Sequence, residues 1–407
     1  MRSNTFLAGL RRAVRIDFFL ALTLGLALLA SAPAHAQTFT VLHAFTGVPD
    51  GKGPDSSLVL DAEGDLYGTT EQGGASYHGS LFEVAPDDKE KILYSFVAAH
   101  GAEPNWLVGA AGGTLYGTTS EGGAYNRGAV FELDKKSHET VLYSFRGDTD
   151  GEWPNAVMRG ADGNFYGTTE YGGDTGCYAG CGTVFKLTPS GNKTTLYTFT
   201  GGADGAVPVG GLVQDSAGNL YGVTGSGGNL SCNDGYGCGT VFEVDAAGKE
   251  TVLYSFIGGN DGTFPVGLIR DQEGNFYGTT SEGGTFNNGT VFKLDTGGQE
   301  NVLYSFSGGA DGGQPVAGLV LDAAGNIYGT TEFGGAGTCG CGNVFMLDTS
   351  GKETVLHSFT WGADGALPVA GVVLDASGNI YGTAILGGDL SCGYNGEGCG
   401  TVFKITP

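Results

Sequence analysis

A phrase built around Tyr-Gly recurs seven times in this 407-residue chain, and its repetition limits the folds that the chain can adopt. Successive copies lie 49 to 56 residues apart, a period typical of propellers, solenoids and other repeat arrays. One copy reads Asp-Ala-Ala-Gly-Asn-Ile-Tyr-Gly-Thr-Thr-Glu from Asp322, followed by a Gly-rich loop and Gly-Asn-Val-Phe-Met-Leu. The seven tyrosines are Tyr67, Tyr116, Tyr166, Tyr221, Tyr277, Tyr328 and Tyr381.

Each repeat contains four short segments with the composition of β-strands, here called A to D in chain order. In the sixth repeat they are Val316–Leu321, Asn326–Thr331, Asn343–Leu347 and Glu353–Phe359. Asp-x-x-Gly-Asn between A and B indicates a tight hairpin, whereas a Gly-Gly loop of variable length joins B to C. Strand A is apolar on both faces, as the innermost strand of a blade requires. Four antiparallel strands per repeat predict the blades of a propeller.

The two ends of the chain predict how the ring closes. The first strand, Thr38–Phe45, has the sequence of strand D, and the last strand, Thr401–Ile405, has that of strand C. Pairing them completes the seventh blade and leaves no open edge. We therefore predict an all-β fold over residues 37–407, a seven-bladed β-propeller with four-stranded antiparallel blades whose last blade is closed by the N-terminal strand.

Residues 1–36 have the features of a signal peptide. Four arginines up to Arg15 precede an apolar run over residues 18–30, and Ala34-His35-Ala36 is a small-x-small cleavage site. The run is shorter than the roughly 20 residues of a spanning helix, so a membrane anchor is the less favoured alternative. We expect cleavage after Ala36 and a secreted or periplasmic monomer without a membrane span.

The charge of the chain narrows the classes of partner. The formal net charge is −24, and removing residues 1–36, with four arginines and one aspartate, leaves −27. Such acidity argues against nucleic acid and anionic membrane surfaces as partners. It is compatible with neutral glycans, cations or basic proteins.

The repeated units are specific enough to suggest a family. They include Gly-Asn-Leu-Tyr-Gly, Gly-Thr-Val-Phe and Leu-Tyr-Ser-Phe, as at residues 218–222, 239–242 and 253–256. Over residues 38–407 the chain resembles the choice-of-anchor tandem repeat GloVer-containing proteins. The resemblance implies an exported bacterial repeat protein without an assigned activity. Members often carry a C-terminal surface anchor, and because this chain stops at Pro407 without a sorting segment, we expect release.

All eight cysteines lie in B–C loops as four local pairs. An even number of cysteines in an exported chain predicts disulfides, whereas metal binding is a weak alternative because their spacings lack an adjoining histidine. The expected disulfides join Cys177 to Cys181, Cys232 to Cys238, Cys339 to Cys341, and Cys392 to Cys399.

Aromatic residues collect in loops that we expect on one face of the ring. In a four-stranded blade the B–C and D–A connections emerge together, and flat rings there suit stacking on sugars or on the apolar anchors of a protein partner. Packing between blades is the alternative for each ring. The candidates are Tyr77, Tyr125 and Phe286 in B–C loops, and Trp106, Trp153 and Phe264 at D–A connections.

The connection between repeats 1 and 2 departs from the repeat. His100 stands where other connections have aspartate, and the neighbouring loops supply His78 and Arg127. Together with Glu103 and Trp106, these residues predict a polar cleft with an aromatic floor. A histidine beside a carboxylate could do acid–base work, although isolated surface histidines are more common.

The D–A connections repeat Asp-Gly-x-x-Pro. Carboxylates in a ring could bind Ca²⁺, but near-identical copies favour a structural role in which each aspartate caps its own turn. We therefore assign no cofactor and no metal ligands, and keep Ca²⁺ as the alternative. The aspartates are Asp50, Asp150, Asp204, Asp261, Asp311 and Asp364.

The sequence contains no Gly-x-Ser-x-Gly, His-Glu-x-x-His or phosphate-binding loop. We therefore favour a non-enzymatic scaffold that binds a glycan or an extracellular protein through the B–C/D–A face. The alternative is a carbohydrate-active hydrolase or lyase, or a lactonase-like enzyme, whose site is the central pocket of the same face. Catalytic residues are not assigned.

Overall fold

The computed structural model describes residues 37–110, 112–174, 176–393 and 395–407. The predicted signal peptide and its cleavage site lie outside this part of the chain. The described residues form seven four-stranded antiparallel sheets, which are the blades of a closed ring. The predicted seven-bladed β-propeller is therefore confirmed.

The strands of each blade follow the chain from the innermost strand, A, to the outermost, D. Strand β1 (Thr38–Ala44) belongs to blade 7. Blade 1 contains β2 (Val59–Leu60), β3 (Leu66–Thr70), β4 (Ser80–Val84) and β5 (Glu90–Ser95); blade 2 contains β6 (Ala102–Ala110), β7 (Thr114–Glu121), β8 (Ala129–Leu133) and β9 (Glu139–Ser144). Blade 3 contains β10 (Glu152–Arg159), β11 (Phe165–Tyr171), β12 (Thr183–Leu187) and β13 (Lys193–Thr198).

The remaining blades have the same composition. Blade 4 contains β14 (Ala206–Gln214), β15 (Leu220–Ser226), β16 (Thr240–Val244) and β17 (Glu250–Ser255); blade 5 contains β18 (Thr263–Arg270), β19 (Phe276–Glu282), β20 (Thr290–Leu294) and β21 (Glu300–Ser305). Blade 6 contains β22 (Val320–Leu321), β23 (Ile327–Thr331), β24 (Asn343–Leu347) and β25 (Glu353–Ser358); blade 7 contains β26 (Val373–Leu374), β27 (Ile380–Ala384), β28 (Thr401–Thr406) and β1. Three short 3₁₀ turns cover Asp148–Asp150, Asn233–Gly235 and Gly259–Asp261.

The innermost strands differ in length. The predicted strand A of blade 6, Val316–Leu321, is reduced to the two residues of β22. In blades 1, 6 and 7, one more residue separates the proline of the D–A connection from the first apolar position of strand A than in blades 2, 3 and 5. The ladder is irregular at this point in all four long innermost strands, and the shift in β14, which has the extra residue, lies between Val209 and Val213.

Pairs of phenylalanines join each blade to the next. The last phenylalanine of each D segment packs edge-to-face on the strand C phenylalanine of the following blade, with centroids 5.0–5.4 Å apart at all seven junctions. Such pairs contribute about 0.5–1.5 kcal/mol beyond their buried area. Phe45 and Phe82 form the pair between blades 7 and 1, at 5.0 Å.

The ring closes as the sequence predicts. Strand β1 pairs antiparallel with β28, from Thr38 opposite Thr406 to Ala44 opposite Thr401. At the axis, the Gly371 N–H of blade 7 donates to Ser57 Oγ of blade 1 at 3.1 Å. Both the outermost and the innermost parts of the first and last blades are therefore joined.

The four predicted disulfides are present, and each closes one B–C loop. Disulfides persist in oxidising compartments such as the periplasm and the extracellular space. Within the described residues, there is no helix with the length and apolar character needed to cross a membrane.

Candidate functional site

The B–C and D–A connections meet around the channel on one face, here called the mouth. The residue directly before the proline of each D–A connection has a backbone φ between 53° and 67° in every blade. Six of the seven are not glycine, although bulky residues seldom adopt this conformation. We call them the pre-proline ring: Gly53, Glu103, Trp153, Val207, Phe264, Gln314 and Leu367.

Backbone hydrogen bonds explain why the ring adopts this conformation. The N–H of each ring residue donates to a B–C loop carbonyl of the preceding blade, two residues before strand C begins, at 2.8–3.2 Å. These carbonyls belong to the second cysteine of each disulfide in four blades. In the other three blades they belong to His78, Arg127 and Asn288. The repeated backbone contact fixes the positions, while the side chains of the ring are free to vary.

Trp106 is the predicted floor of the cleft. It lies in β6, at a position near the axis where the other blades have Ser57, Ala156, Gly211, Gly267, Gly318 and Gly371. The Trp106 ring reaches blade 4, where its Cζ2 is 3.9 Å from the site of a Cβ on Gly211. Because the other six positions carry small residues, one indole can extend across the channel. The aromatic floor of the cleft stays a prediction.

Asp55 is an acidic residue of the mouth that the sequence analysis did not select. It belongs to the blade 1 connection, at a position where blades 4, 6 and 7 have valine. Its Oδ1 is buried and lacks a hydrogen-bond partner among the described residues. Burial, then the carboxylates of Glu71 and Glu103, raise the pKa of Asp55 well above its usual range. The exchange of an apolar residue for aspartate was the available sequence signal.

Glu103 places a second carboxyl group beside Asp55. Its pKa is raised by burial and by the carboxylates of Glu121 and Glu71, while nearby His78 has the opposite effect. Ser120 Oγ donates to the Glu103 carbonyl oxygen at 3.1 Å. The structure thus brings the predicted residues Glu103 and His78 close together in an acidic sector of blades 1 and 2.

The aromatic members of the ring lie beyond this sector. Trp153 is 41% exposed and packs edge-to-face on Tyr171, with centroids 5.5 Å apart. Phe264 is half-buried on blade 5. Burial raises the pKa of Glu170, which directly precedes Tyr171. The mouth therefore combines exposed ring faces with carboxyl groups, as the sequence analysis expected.

The other predicted residues lie farther out. Tyr77, Tyr125 and Phe286 are at the tips of B–C loops and are 53–72% exposed. Arg127 forms an ion pair with Glu152 at 2.7 Å. Loop tips and mouth therefore form two zones of the same face.

His100 is placed at the rim, away from the predicted cleft. Its Nδ1 lies 2.9 Å from Oε2 of Glu139 on the outermost strand β9. The imidazole stands where the other D–A connections have aspartate, and it contacts Glu139 of the next blade. The structure does not place this ring in contact with the Glu103 carboxyl group.

The aspartates of the D–A connections cap turns. In each of the six connections a carboxylate oxygen accepts the N–H of the residue four positions earlier, at 2.6–3.0 Å. These bonds support the structural interpretation of the motif. Among the described residues, the set of three ligand side chains close enough to share a metal ion is His43, Asp50 and Glu90, which lies at the rim.

A groove between blades 1 and 2 opens on the opposite face. Its volume is about 810 Å³, and its walls include Tyr67, Lys91 and Lys135. Gly109, Gly112 and Gly113 of the blade 2 hairpin also line it. We place the functional site at the mouth because the strained backbone, desolvated carboxyl groups and exposed rings are found together there.

Similar structures confirm the architecture. Virginiamycin B lyase from Staphylococcus aureus has a TM-score of 0.61 and 14% identity, covering 91% of this chain and 100% of that chain. The extracellular domain of the one-component system BT4673 from B. thetaiotaomicron has a TM-score of 0.57 and 12% identity, covering 91% and 42%. At these identities the similarity establishes the fold alone.

At the level of sequence, no curated protein matches this chain. The profile of the Gloeobacter/Verrucomicrobia repeat matches it twice, over residues 88–235 and 230–407. These two matches cover most of the propeller, and the resemblance drawn from the repeated units is thereby confirmed. The chain belongs to the Gloeobacter/Verrucomicrobia repeat family.

Proposed function

We propose that this protein is an exported carbohydrate-binding propeller that holds a glycan across its mouth. The observation that carries the proposal is the pre-proline ring. Seven blades with repeated cores and repeated backbone contacts present seven different residues there, and the six that are not glycine carry their side chains on strained backbone. Strain of this kind persists where a protein has a use for it, and function is expected where a repeat departs from its own pattern.

The chemistry of the mouth suits a neutral sugar chain. Trp153 and Trp106 offer ring faces for the apolar face of a pyranose. Glu103 and Asp55 offer oxygen atoms for hydroxyl groups. The strongly negative net charge disfavours acidic polysaccharides. The four disulfides suit a protein that meets its ligand outside the cytoplasm.

Binding can be tested with exported, disulfide-bonded protein and a panel of soluble neutral polysaccharides, by affinity electrophoresis and then calorimetry. We expect Trp153→Ala and Trp106→Ala each to weaken binding at least tenfold, or about 1.4 kcal/mol. Tyr178→Ala is the matched control, because Tyr178 is a fully exposed aromatic residue of a B–C loop outside the ring.

Unchanged affinity in both tryptophan variants would contradict the proposed position of the site. Loss of binding in the Tyr178 variant alone would move the site to the loop tips. Binding of an extracellular protein in place of any glycan would retain the mouth and change the class of partner.

The burial of the Asp55 carboxyl group and its raised pKa favour a second candidate function, a glycan-cleaving enzyme with its site at the same mouth. A carboxyl group whose pKa is raised by burial and by the neighbouring carboxylate of Glu71 could serve as a general acid. Cleavage of a glycosidic bond uses two carboxyl groups in this way. The same incubations should then release oligosaccharides detectable by mass spectrometry, and Asp55→Asn should stop release while binding persists. Binding without fragments between about pH 5 and pH 8 would exclude this candidate.

A further inference from the structure

Each junction between neighbouring blades contains a trio of side chains at the rim. A tyrosine or histidine of one outermost strand contacts the residue that is aspartate in six of the seven D–A connections, and a residue at the start of the following outermost strand lies beside it. Between blades 4 and 5 the trio is Tyr254, Asp261 and Glu300, and Tyr254 Oη donates to Asp261 Oδ1 at 2.8 Å. Between blades 2 and 1 the aspartate is replaced by His100.

One junction shows that the third position accepts a positive charge. Lys193 replaces the glutamate between blades 2 and 3, and its side chain is only 3% exposed. Its Nζ lies 3.0 Å from Asp150 Oδ1 and also contacts the Asp150 carbonyl oxygen. The space beside the junction aspartate therefore accommodates a cation in this fold.

The junction between blades 7 and 1 combines His43, Asp50 and Glu90. Each offers one ligand atom, and these atoms all lie within 4.8 Å of one another. Asp50 Oδ1 and Glu90 Oε1 are both buried, and neither has a hydrogen-bond partner among the described residues. Neighbouring carboxylate oxygens withdrawn from water require a proton or a cation between them.

The junction between blades 6 and 7 offers an internal comparison, because its outermost strand also carries a histidine at the tyrosine position. His357 contacts Asp364 Oδ2 through Nε2 at 3.1 Å, much as His43 contacts Asp50 Oδ2 at 3.2 Å. There, however, Phe39 takes the place of the glutamate and stacks on the imidazole with centroids 3.7 Å apart. The junction between blades 7 and 1, where the two ends of the chain close the ring, is here called the seam. It is thus the junction that combines histidine, aspartate and glutamate.

We propose that His43, Asp50 and Glu90 bind a divalent transition-metal ion, with Zn²⁺ as the expected occupant. One imidazole and two carboxylates are zinc ligands and leave a fourth position for water, whereas Ca²⁺ prefers oxygen ligands alone. The Thr46 N–H and hydroxyl group donate to Asp50 Oδ2 at 2.9 and 3.1 Å, which orients the carboxylate. The ion joins the N-terminal strand β1 to β5 of blade 1 and so fastens the seam.

The test uses the full exported chain, stripped with EDTA and dialysed. Elemental analysis after incubation with ZnCl₂ should find about one bound equivalent, and the unfolding temperature should rise because the ion binds the folded state. CaCl₂ should leave the unfolding temperature unchanged.

Two variants at this site and one control variant make the assignment specific. His43→Tyr gives the seam the trio of the blade 4–5 junction, so it should fold and lose the bound zinc. His357→Tyr makes the same exchange where the glutamate is missing, so it should keep the zinc. Glu90→Gln is the second seam variant and should also lose it. Failure of the unmodified protein to bind zinc, or equal zinc binding by folded His43→Tyr or Glu90→Gln protein, would overturn the proposal.

Discussion

The glycine of each Tyr-Gly pair is required by the phenylalanine that faces it across the sheet. In all seven blades a Cβ on this glycine would lie only 2.5–2.9 Å from the strand C phenylalanine ring. The same ring then packs on the preceding blade. The repeated Tyr-Gly motif therefore reflects packing between blades as well as strand formation.

Gly329→Ala in blade 6 should destabilise the fold. Its Cβ would lie 2.8 Å from both Phe345 Cζ and Leu319 Cδ2, and overpacking of a core costs about 1–3 kcal/mol. Gly318→Ala is the control, because a Cβ there meets no atom within 4 Å. Denaturant unfolding of the two variants should separate them, and equal stabilities would contradict the packing argument.

Asp55→Asn should stabilise the protein, and the gain should depend on pH. Because burial and neighbouring carboxylates raise the pKa of Asp55 in the folded state, its ionisation opposes folding as the pH rises. Asparagine cannot ionise, so the variant should gain stability above the folded-state pKa and gain little in acid. Thermal unfolding at several pH values would measure this difference. A variant that is less stable at high pH than the unmodified protein would show that the aspartate makes a stabilising contact.

Sequence reasoning at this scale found repeated residues more readily than unique ones. Trp106 and Glu103 were selected because they lie in the connection that departs from the repeat; in the structure, Trp106 belongs to β6 and Glu103 to the pre-proline ring. Asp55 was missed because its neighbours belong to other strands. His100 was placed in the wrong zone because sequence distance does not say which end of a D–A connection lies at the axis.

The connections between strands carry the site, and the disulfides hold them. The second cysteine of each pair supplies the carbonyl that anchors the next residue of the pre-proline ring. Small disulfide loops add less to global stability than long ones do. Their effect is therefore expected on the local order of the mouth.

Removing one disulfide should loosen the ring locally. In Cys232→Ser/Cys238→Ser protein, the Phe264 N–H, which bonds to the carbonyl of residue 238 at 3.2 Å, should exchange faster with solvent. The Gln314 N–H is the control, since it bonds to Asn288 in a blade without a disulfide. Hydrogen exchange followed by mass spectrometry would measure both amides. Equal exchange before and after removal would mean that the backbone holds the ring unaided.

For the whole molecule, the sequence predicted the number of blades and the closure because both follow from counting. Seven repeats, with a D-type strand at one end and a C-type strand at the other, leave one way to complete the ring. The lengths of the innermost strands were less predictable. Val316–Leu321 has the composition of a strand, but its ladder depends on how an extra residue is accommodated against the neighbouring blades.

Stability of the whole ring should increase as the pH falls from about 8 towards 5. Burial, then the neighbouring junction aspartate, raise the pKa values of Glu250, Glu300 and Glu353 to about 7. The folded state therefore holds protons that the unfolded chain releases, and the stability that these protons give is lost as the pH rises through 7.

Replacing all three glutamates by glutamine should raise the unfolding temperature at about pH 8 and flatten its pH dependence. Burial also lowers the pKa of His357, so protonation of this residue in acid destabilises the folded state. Both proteins contain His357, and the difference between their unfolding temperatures therefore reports on the glutamates alone. Glu273→Gln, an exchange at an exposed hairpin residue, should leave the profile unchanged. If the unfolding temperatures of the triple variant and the unmodified protein depend on pH in the same way, the three glutamates do not cause the pH dependence.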